Sequence, residues 1–189
     1  MNTRNLLIIL TCTLAACANP LNRATSDRYS ANCASEEKSG NLSAAEEACY
    51  RAAVNVDWGN LGPEQKSEKL YNLARIKKQA GKLNEAEALL KEALRIEEGL
   101  TGPTSEKTGR RLAELAAVYY QKKQYTDGIS YVERLVPLGT MYVGAEREYV
   151  AGLFHYYADE MNTVGNVQVA TRLRDARDKL GFGPDHFPP

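Results

Sequence analysis

Ala80-Gly81-Lys82-Leu83-Asn84-Glu85-Ala86 reads as a helix end, a turn and the start of a second helix, and it recurs along the chain. Related signatures are Ser39-Gly40-Asn41-Leu42-Ser43-Ala44-Ala45, Lys123-Gln124-Tyr125-Thr126-Asp127-Gly128 and Gly165-Asn166-Val167-Gln168-Val169-Ala170. The small residues that close them, Ala45, Ala86, Gly128 and Ala170, stand 41, 42 and 42 positions apart. A fixed period of this length marks stacked supersecondary units, each too small to bury its own apolar face. Such stacks more often bind macromolecules along a groove than carry chemistry.

Each unit reads as two antiparallel helices. In the second, Leu70, Leu73, Ala74 and Ile76 form one apolar stripe, Gly81 stops it, and Asn84 starts the next helix. Ala86, Leu89, Leu90, Ala93, Leu94 and Ile96 continue at helical spacing. Asn84 with Glu87, and Ser43 with Glu46, have capping-box spacing. Gly40, Gly81 and Gly165 share the repeat position where a left-handed backbone suits glycine. Lys123 replaces glycine in the third unit, which predicts a turn that is slightly strained or differently built. Small residues such as Ala74, Ala116, Ala158, Ala86 and Gly128 let helices approach, while Leu73, Leu115, Leu90 and Val132 fill the gaps between pairs.

These residues resemble the tetratricopeptide repeat. Tyr71-Asn72-Leu73-Ala74 followed by Gly81, Leu83, Glu85-Ala86, Leu90 and Ala93 follows its alternation of small and large positions. Leu115-Ala116, Tyr119-Tyr120, Tyr125, Gly128, Val132 and Leu135 follow it again. The usual period is about 34 residues. The longer period here, with Leu100-Thr101-Gly102-Pro103 between units, resembles the long-helix subtype of kinesin light chains and many bacterial proteins. The resemblance implies an all-α, right-handed solenoid of about four helix pairs, over 27–58, 64–99, 104–138 and 145–180. It is fullest over 64–136. Arg177 stands near a position usually held by alanine, so the last pair reads as a cap.

In that family the first helix of each pair lines a concave groove that takes a protein or peptide partner. Carried over by repeat position, the groove presents Tyr71, Asn72 and Arg75, then Arg110, Glu114, Tyr120 and Gln121, then His155, Tyr156 and Asp159. Asn72 stands where such proteins hold a peptide backbone, and Arg75 one turn on, where it would meet a carboxylate. Glu114, an acid, stands where the rest of such a clamp would need a base. Of the 11 tyrosines, Tyr119, Tyr125, Tyr131 and Tyr157 fall mostly at packing positions, and Tyr71, Tyr120 and Tyr156 toward the groove. Trp58, in the linker Trp58-Gly59-Asn60-Leu61-Gly62-Pro63, is expected to pack on the next helix.

The amino-terminal segment 1–16 reads as a targeting signal: Arg4, then an apolar run too short to span a bilayer, ending in Leu14-Ala15-Ala16-Cys17. It resembles the bacterial lipoprotein signal, which implies cleavage before Cys17 and acylation of that cysteine, palmitate among the chains. The alternative is an ordinary secretory leader cut after Ala16 or Ala18. Several acyl chains give stable anchoring where one does not. Ala18 rather than Asp after the cysteine implies, by the same resemblance, the outer membrane of a Gram-negative bacterium. Residues 17–26 read as a flexible tether and 181–189, with Phe182 and Phe187, as a tail, frayed or strapped onto the last helix.

Of the four cysteines, Cys12 leaves with the leader and Cys17 takes the lipid, which leaves Cys33 and Cys49 in an oxidising compartment. Each lies eight residues from Asn41 at the first turn, so in a helical hairpin they face each other. A disulfide is expected, worth about 3 kcal/mol by chain entropy. The alternative is a pair of free core thiols. Two thiols without a nearby histidine hold zinc poorly.

Charge balances at 24 basic and 24 acidic residues with no basic stripe, which argues against a nucleic-acid partner. The chain has two histidines, no His-Glu-x-x-His, no Gly-x-Ser-x-Gly and no phosphate-cradling glycine loop. His155 and Asp159 have the spacing of an ordinary helical side-chain pair. No cofactor or metal is implied. The expectation is therefore a non-enzymatic interaction module of the envelope, a docking or assembly factor for a pilus, a secretion machine or an outer-membrane complex. A periplasmic holdase or carrier for unfolded chains is the alternative, and an enzyme working near His155 or Glu114 a third.

Overall fold

The structure is a computed structural model that describes residues 18–187. The leader and Cys17 lie outside the described residues. Eight α-helices follow one another: α1 Pro20–Lys38, α2 Leu42–Trp58, α3 Pro63–Gln79, α4 Leu83–Thr101, α5 Glu106–Gln121, α6 Tyr125–Leu135, α7 Gly144–Thr163 and α8 Val167–Lys179. A 3-10 turn over Val136–Met141 joins α6 to α7, and another over Pro184–His186 follows α8. Each helix packs on its chain neighbours, and first helices also touch the next first helix, as in α3 on α5 and α5 on α7. The described residues form an all-helical solenoid of four pairs.

Four turns of one design make the pairs. In the second, Lys82 N–H donates to Lys77 O at 2.9 Å and Gly81 N–H to Lys78 O at 3.0 Å. This double bond closes a helix end when the residue between takes a positive φ. Gly40, Gly81 and Gly165 do so at 78°, 76° and 81°. Lys123 does so at 58°, with the same bonds from Gln124 to Tyr119 and from Lys123 to Tyr120, both 2.9 Å. The expected strain is located there.

The period-marking residues are the close-approach points. Ala45, Ala86 and Ala170 are fully buried. Gly128 is smaller because Tyr157 needs the space: a Cβ on Gly128 would stand 2.1 Å from the Tyr157 hydroxyl and 2.7 Å from Tyr119 Cβ. The Tyr157 hydroxyl in turn donates to Ala116 O at 2.8 Å. In the first two pairs a second periodic device joins the first helix to the second. Ser26 Oγ donates to Ala52 O at 2.9 Å, and Ser67 Oγ, at the matching position, lies 3.2 Å from Ala93 O. Leu90, Leu112, Leu115, Val132, Phe154 and Leu173 fill the continuous core of the last three pairs. A smaller cluster of Ala45, Ala48, Cys33 and Cys49 with Leu73 and Ile76 joins the first pair to the second. The Cys33–Cys49 disulfide ties α1 to α2.

Several expectations are corrected. Pro20 to Ser26, read as tether, are the first turns of α1, because Pro20 fits the first turn of a helix and the Asn19 side chain caps it by accepting from Leu21 N–H at 2.9 Å. Asn19 N–H also donates to Gly59 O at 2.8 Å, which fixes this end to the end of α2. Asn84 and Ser43 do not cap. α4 begins one residue before Asn84, and α2 is capped by Asn41, whose side chain accepts from Ala44 N–H. Trp58 does not pack on the next helix and is 76 % exposed, because Leu61, 6 % exposed, fills that corner. The tail lies back on α7, where Phe187 stacks on His155 at 5.3 Å.

Candidate binding groove

A hollow of about 430 Å³ crosses three consecutive first helices. Tyr71 and Arg75 come from α3, Arg110 and Glu114 from α5, and Glu146 and Tyr149 from α7, with Tyr142 from the preceding turn. Of the residues expected there, Tyr71, Arg75, Arg110 and Glu114 meet in one place. Tyr142, Glu146 and Tyr149 are additions. The groove runs obliquely, from the second half of α3 to the start of α7, because successive pairs are rotated against each other. A carry-over by fixed repeat position therefore selects α7 residues too far along the helix.

The lining is held by ion pairs. Arg75 Nη2 donates to Glu37 Oε1 at 2.8 Å. Arg110 Nη2 reaches Glu106 at 2.7 Å and Glu146 at 3.0 Å. Lys78 Nζ lies 2.6 Å from Glu114 Oε2 and 3.2 Å from the Tyr149 hydroxyl. Glu114, the acid in place of a clamp base, is thus neutralised from the neighbouring pair. The Tyr71 ring is covered by the Arg111 guanidinium at 4.8 Å. Burial, with the charge of Glu114 adding to it, pushes the Tyr71 phenol up to about 12. Burial does the same for Tyr142, also to about 12. Burial among the groove residues, with the charge of Glu114 adding to it, also holds the Tyr149 hydroxyl well above its ordinary value. These tyrosines stay neutral hydrogen-bonding groups at physiological pH.

Beneath the groove is a buried network. Arg111 Nη2 lies 3.0 Å from Glu97 Oε2 and donates to Ser67 Oγ at 3.0 Å, and Ser67 Oγ donates to Glu97 at 2.8 Å. Tyr142 donates to Glu106 O at 2.9 Å, and a Cβ on Gly109 would stand 2.1 Å from its hydroxyl. Gly109, in the first turn of α5, is the trace in the sequence of that close approach.

The other expected groove residues lie elsewhere. Asn72 lines a separate hollow of about 90 Å³ with Arg75, beside the Cys33–Cys49 disulfide. Tyr120 packs into an aromatic cluster with Tyr125 at 5.2 Å, Tyr157 at 5.7 Å and Tyr156 at 5.8 Å. Gln121 is exposed at the end of α5. His155 is buried, with Nδ1 3.0 Å from Arg177 Nη1. Asp159 is exposed and lies 3.6 Å from His155 and 3.3 Å from Arg174. Tyr156, with Tyr149, Gly152 and Phe187, lines a shallow neighbouring depression. Among the described residues of the tail, Phe187 borders the groove and none lines it.

Known proteins agree with this architecture. BtubC (BKLC) from P. vanneervenii superposes with a TM-score of 0.74 at 19 % identity, over 89 % of this chain and 67 % of that one. A Podosopora anserina protein of the kinesin light chain kind, with nearly identical TPR-like repeats, gives 0.60 at 18 % identity, over 79 % and 71 %. No curated protein matches the chain. Residues 66–140 match the family model described as Tetratricopeptide repeat, and the chain has the fold of a tetratricopeptide-like helical solenoid.

Proposed function

We propose that this protein is a non-enzymatic docking module of the cell envelope, held by a lipid on Cys17, that binds a segment of a protein partner in the groove over α3, α5 and α7. The anchor rests on the Leu14-Ala15-Ala16-Cys17 leader and on the resemblance to exported repeat lipoproteins. The repeat fold supports a role in protein–protein interaction. The observation that carries the reading is the groove lining itself, with Tyr71, Tyr142 and Tyr149 beside Arg75 and Arg110. Tyrosine and arginine dominate protein interfaces, since both offer a broad apolar surface with polar tips. Ion pairs hold these side chains in place, so less conformational freedom is lost on binding. A lining so charged favours one segment over a range of apolar ones, which sets docking above the holdase reading.

The test is affinity capture from cross-linked envelopes with the full chain and with an Arg75→Ala/Tyr149→Ala variant. Both residues are partly exposed, so the fold survives their loss. One dominant partner lost with the variant is the expected result. Partners unchanged by the variant would remove the groove from the binding surface. Many weakly held unfolded chains would favour the holdase.

A further inference from the structure

The first pair carries a second surface, formed by α1 and α2 alone. Thr25 and Tyr29 of α1 stand beside Tyr50, Val54 and Trp58 of α2 around a hollow of about 400 Å³, and Leu21, one turn before Thr25 on α1, is exposed as well. Leu21 and Trp58 are each 76 % exposed and Tyr50 54 %. Arg28 and Arg51 stack on the Tyr29 ring at 5.4 and 5.5 Å. The one acid lining this hollow, Glu47, is paired with Arg51 at 2.6 Å. We propose that this face lies on the membrane surface, with Trp58, Leu21 and Tyr50 at the headgroup level and Arg28 and Arg51 toward the phosphates. The proposal rests on the reading that Cys17 carries the lipid.

Geometry favours a membrane over other occupants. Only Ala18 and Asn19 separate Cys17 from α1, and Asn19 N–H is bonded to Gly59 O, next to Trp58. Three residues of extended chain reach about 10 Å, so a lipid on Cys17 brings Leu21 and Trp58 to the headgroups with no tether to hold them off. The composition fits. Tryptophan and tyrosine concentrate at membrane interfaces, and arginine lays its stem on apolar surface while its head meets anionic phosphate. No described helix is long and apolar enough to cross a membrane, so the contact is peripheral. A surface contact added to acylation would also orient the solenoid, which chains on a flexible tether would leave free.

Trp58 is the single tryptophan of the chain, so its fluorescence reports this face alone. The full chain is placed in phosphatidylethanolamine–phosphatidylglycerol vesicles that hold lipids spin-labelled at shallow acyl positions, and mass spectrometry reads acylation of Cys17 in the same sample. The expected result is an acylated Cys17 with blue-shifted Trp58 emission, quenched by the labelled lipid and shielded from iodide. A Leu21→Ser/Tyr50→Ser variant, both sites exposed, should lose most of that quenching while keeping its helical circular dichroism. Acylated Cys17 with Trp58 open to iodide would overturn the membrane face and leave the anchor standing. Unacylated Cys17 without quenching would remove the anchor and this proposal with it. Shielding from iodide without lipid quenching, dependent on protein concentration, would assign the face to a second copy and overturn the proposal. Undiminished quenching in the variant would show that Leu21 and Tyr50 take no part.

Discussion

Lys123 shows how one side chain departs from a rule that its neighbours obey. Its turn makes the same hydrogen bonds as those at Gly81 and Gly165, but with a Cβ in the left-handed region. That conformation costs an ordinary residue about 1–2 kcal/mol. Glycine would remove the clash and loosen the unfolded chain, so Lys123→Gly should raise stability by about 0.5–1 kcal/mol, seen as a higher urea midpoint with unchanged slope. Gly128 is the opposite case. Its matching residues are alanines, yet Gly128→Ala would drive a methyl group into the buried Tyr157 ring. Overpacking of this kind costs about 1–3 kcal/mol, and the paired variant Gly128→Ala/Tyr157→Phe, which removes the clashing hydroxyl, should recover part of it. Both positions are visible in the sequence as exceptions to a period. The reason for the second is not, because Tyr157 lies 29 residues away on another helix pair.

At the scale of helices, packing positions were legible because sterics repeat, and pairings across helices were not. The Cys33–Cys49 bridge follows from symmetry about the first turn. Replacing both cysteines by alanine should cost about 3 kcal/mol. The loss should appear as faster amide exchange confined to α1 and α2, since each pair contacts chiefly its neighbours. The Arg111–Glu97–Ser67 network had no comparable signature, because its members come from α5, α4 and α3 and look like surface charges on a helical wheel. Arg111 and Glu97 side chains are 5 % and 1 % exposed. Removing one buried partner strands the other, so Glu97→Ala should destabilise by about 3–5 kcal/mol in urea unfolding. Glu97→Met/Arg111→Met, which removes both charges, should lose much less. The groove shows the same limit: Tyr71, Arg75, Arg110 and Glu114 were legible from the period, Asn72, Tyr120 and Gln121 were placed there by it and lie elsewhere, and Tyr142 and Tyr149 were hidden by the rotation between pairs.

Over the whole molecule, what holds one pair to the next decides whether the solenoid unfolds as a unit. Apolar packing is continuous over the last three pairs, and charged groups reinforce the junctions, two of which hold a carboxylate below its ordinary range. Glu87 of α4 accepts from Tyr119 of α5 at 2.8 Å, from Lys122 at the end of that helix at 2.6 Å, and from Lys91 at 2.6 Å. Burial pushes its carboxyl up, but those donors outweigh burial and hold it near 2. Glu46 of α2 accepts from Lys77 of α3 at 2.8 Å and from Lys82, and those bonds hold it below the usual carboxylate range. A carboxylate with a depressed folded value stabilises the native state above its unfolded value and loses that contribution as pH falls through the folded one. Both junctions should therefore be at full strength near neutrality and weaken as the pH drops below about 4.5, the Glu87 junction last, near pH 2. In a chain of nearest-neighbour units, weaker junctions mean lost cooperativity before lost helix. Thermal unfolding followed at pH 7 and pH 3 should thus broaden or split at the lower pH, with the calorimetric enthalpy exceeding the van't Hoff value. A Glu46→Gln/Glu87→Gln variant should show the broadened transition already at pH 7 and change less on acidification. A transition equally sharp at both pH values in the native chain would mean that apolar packing alone couples the pairs.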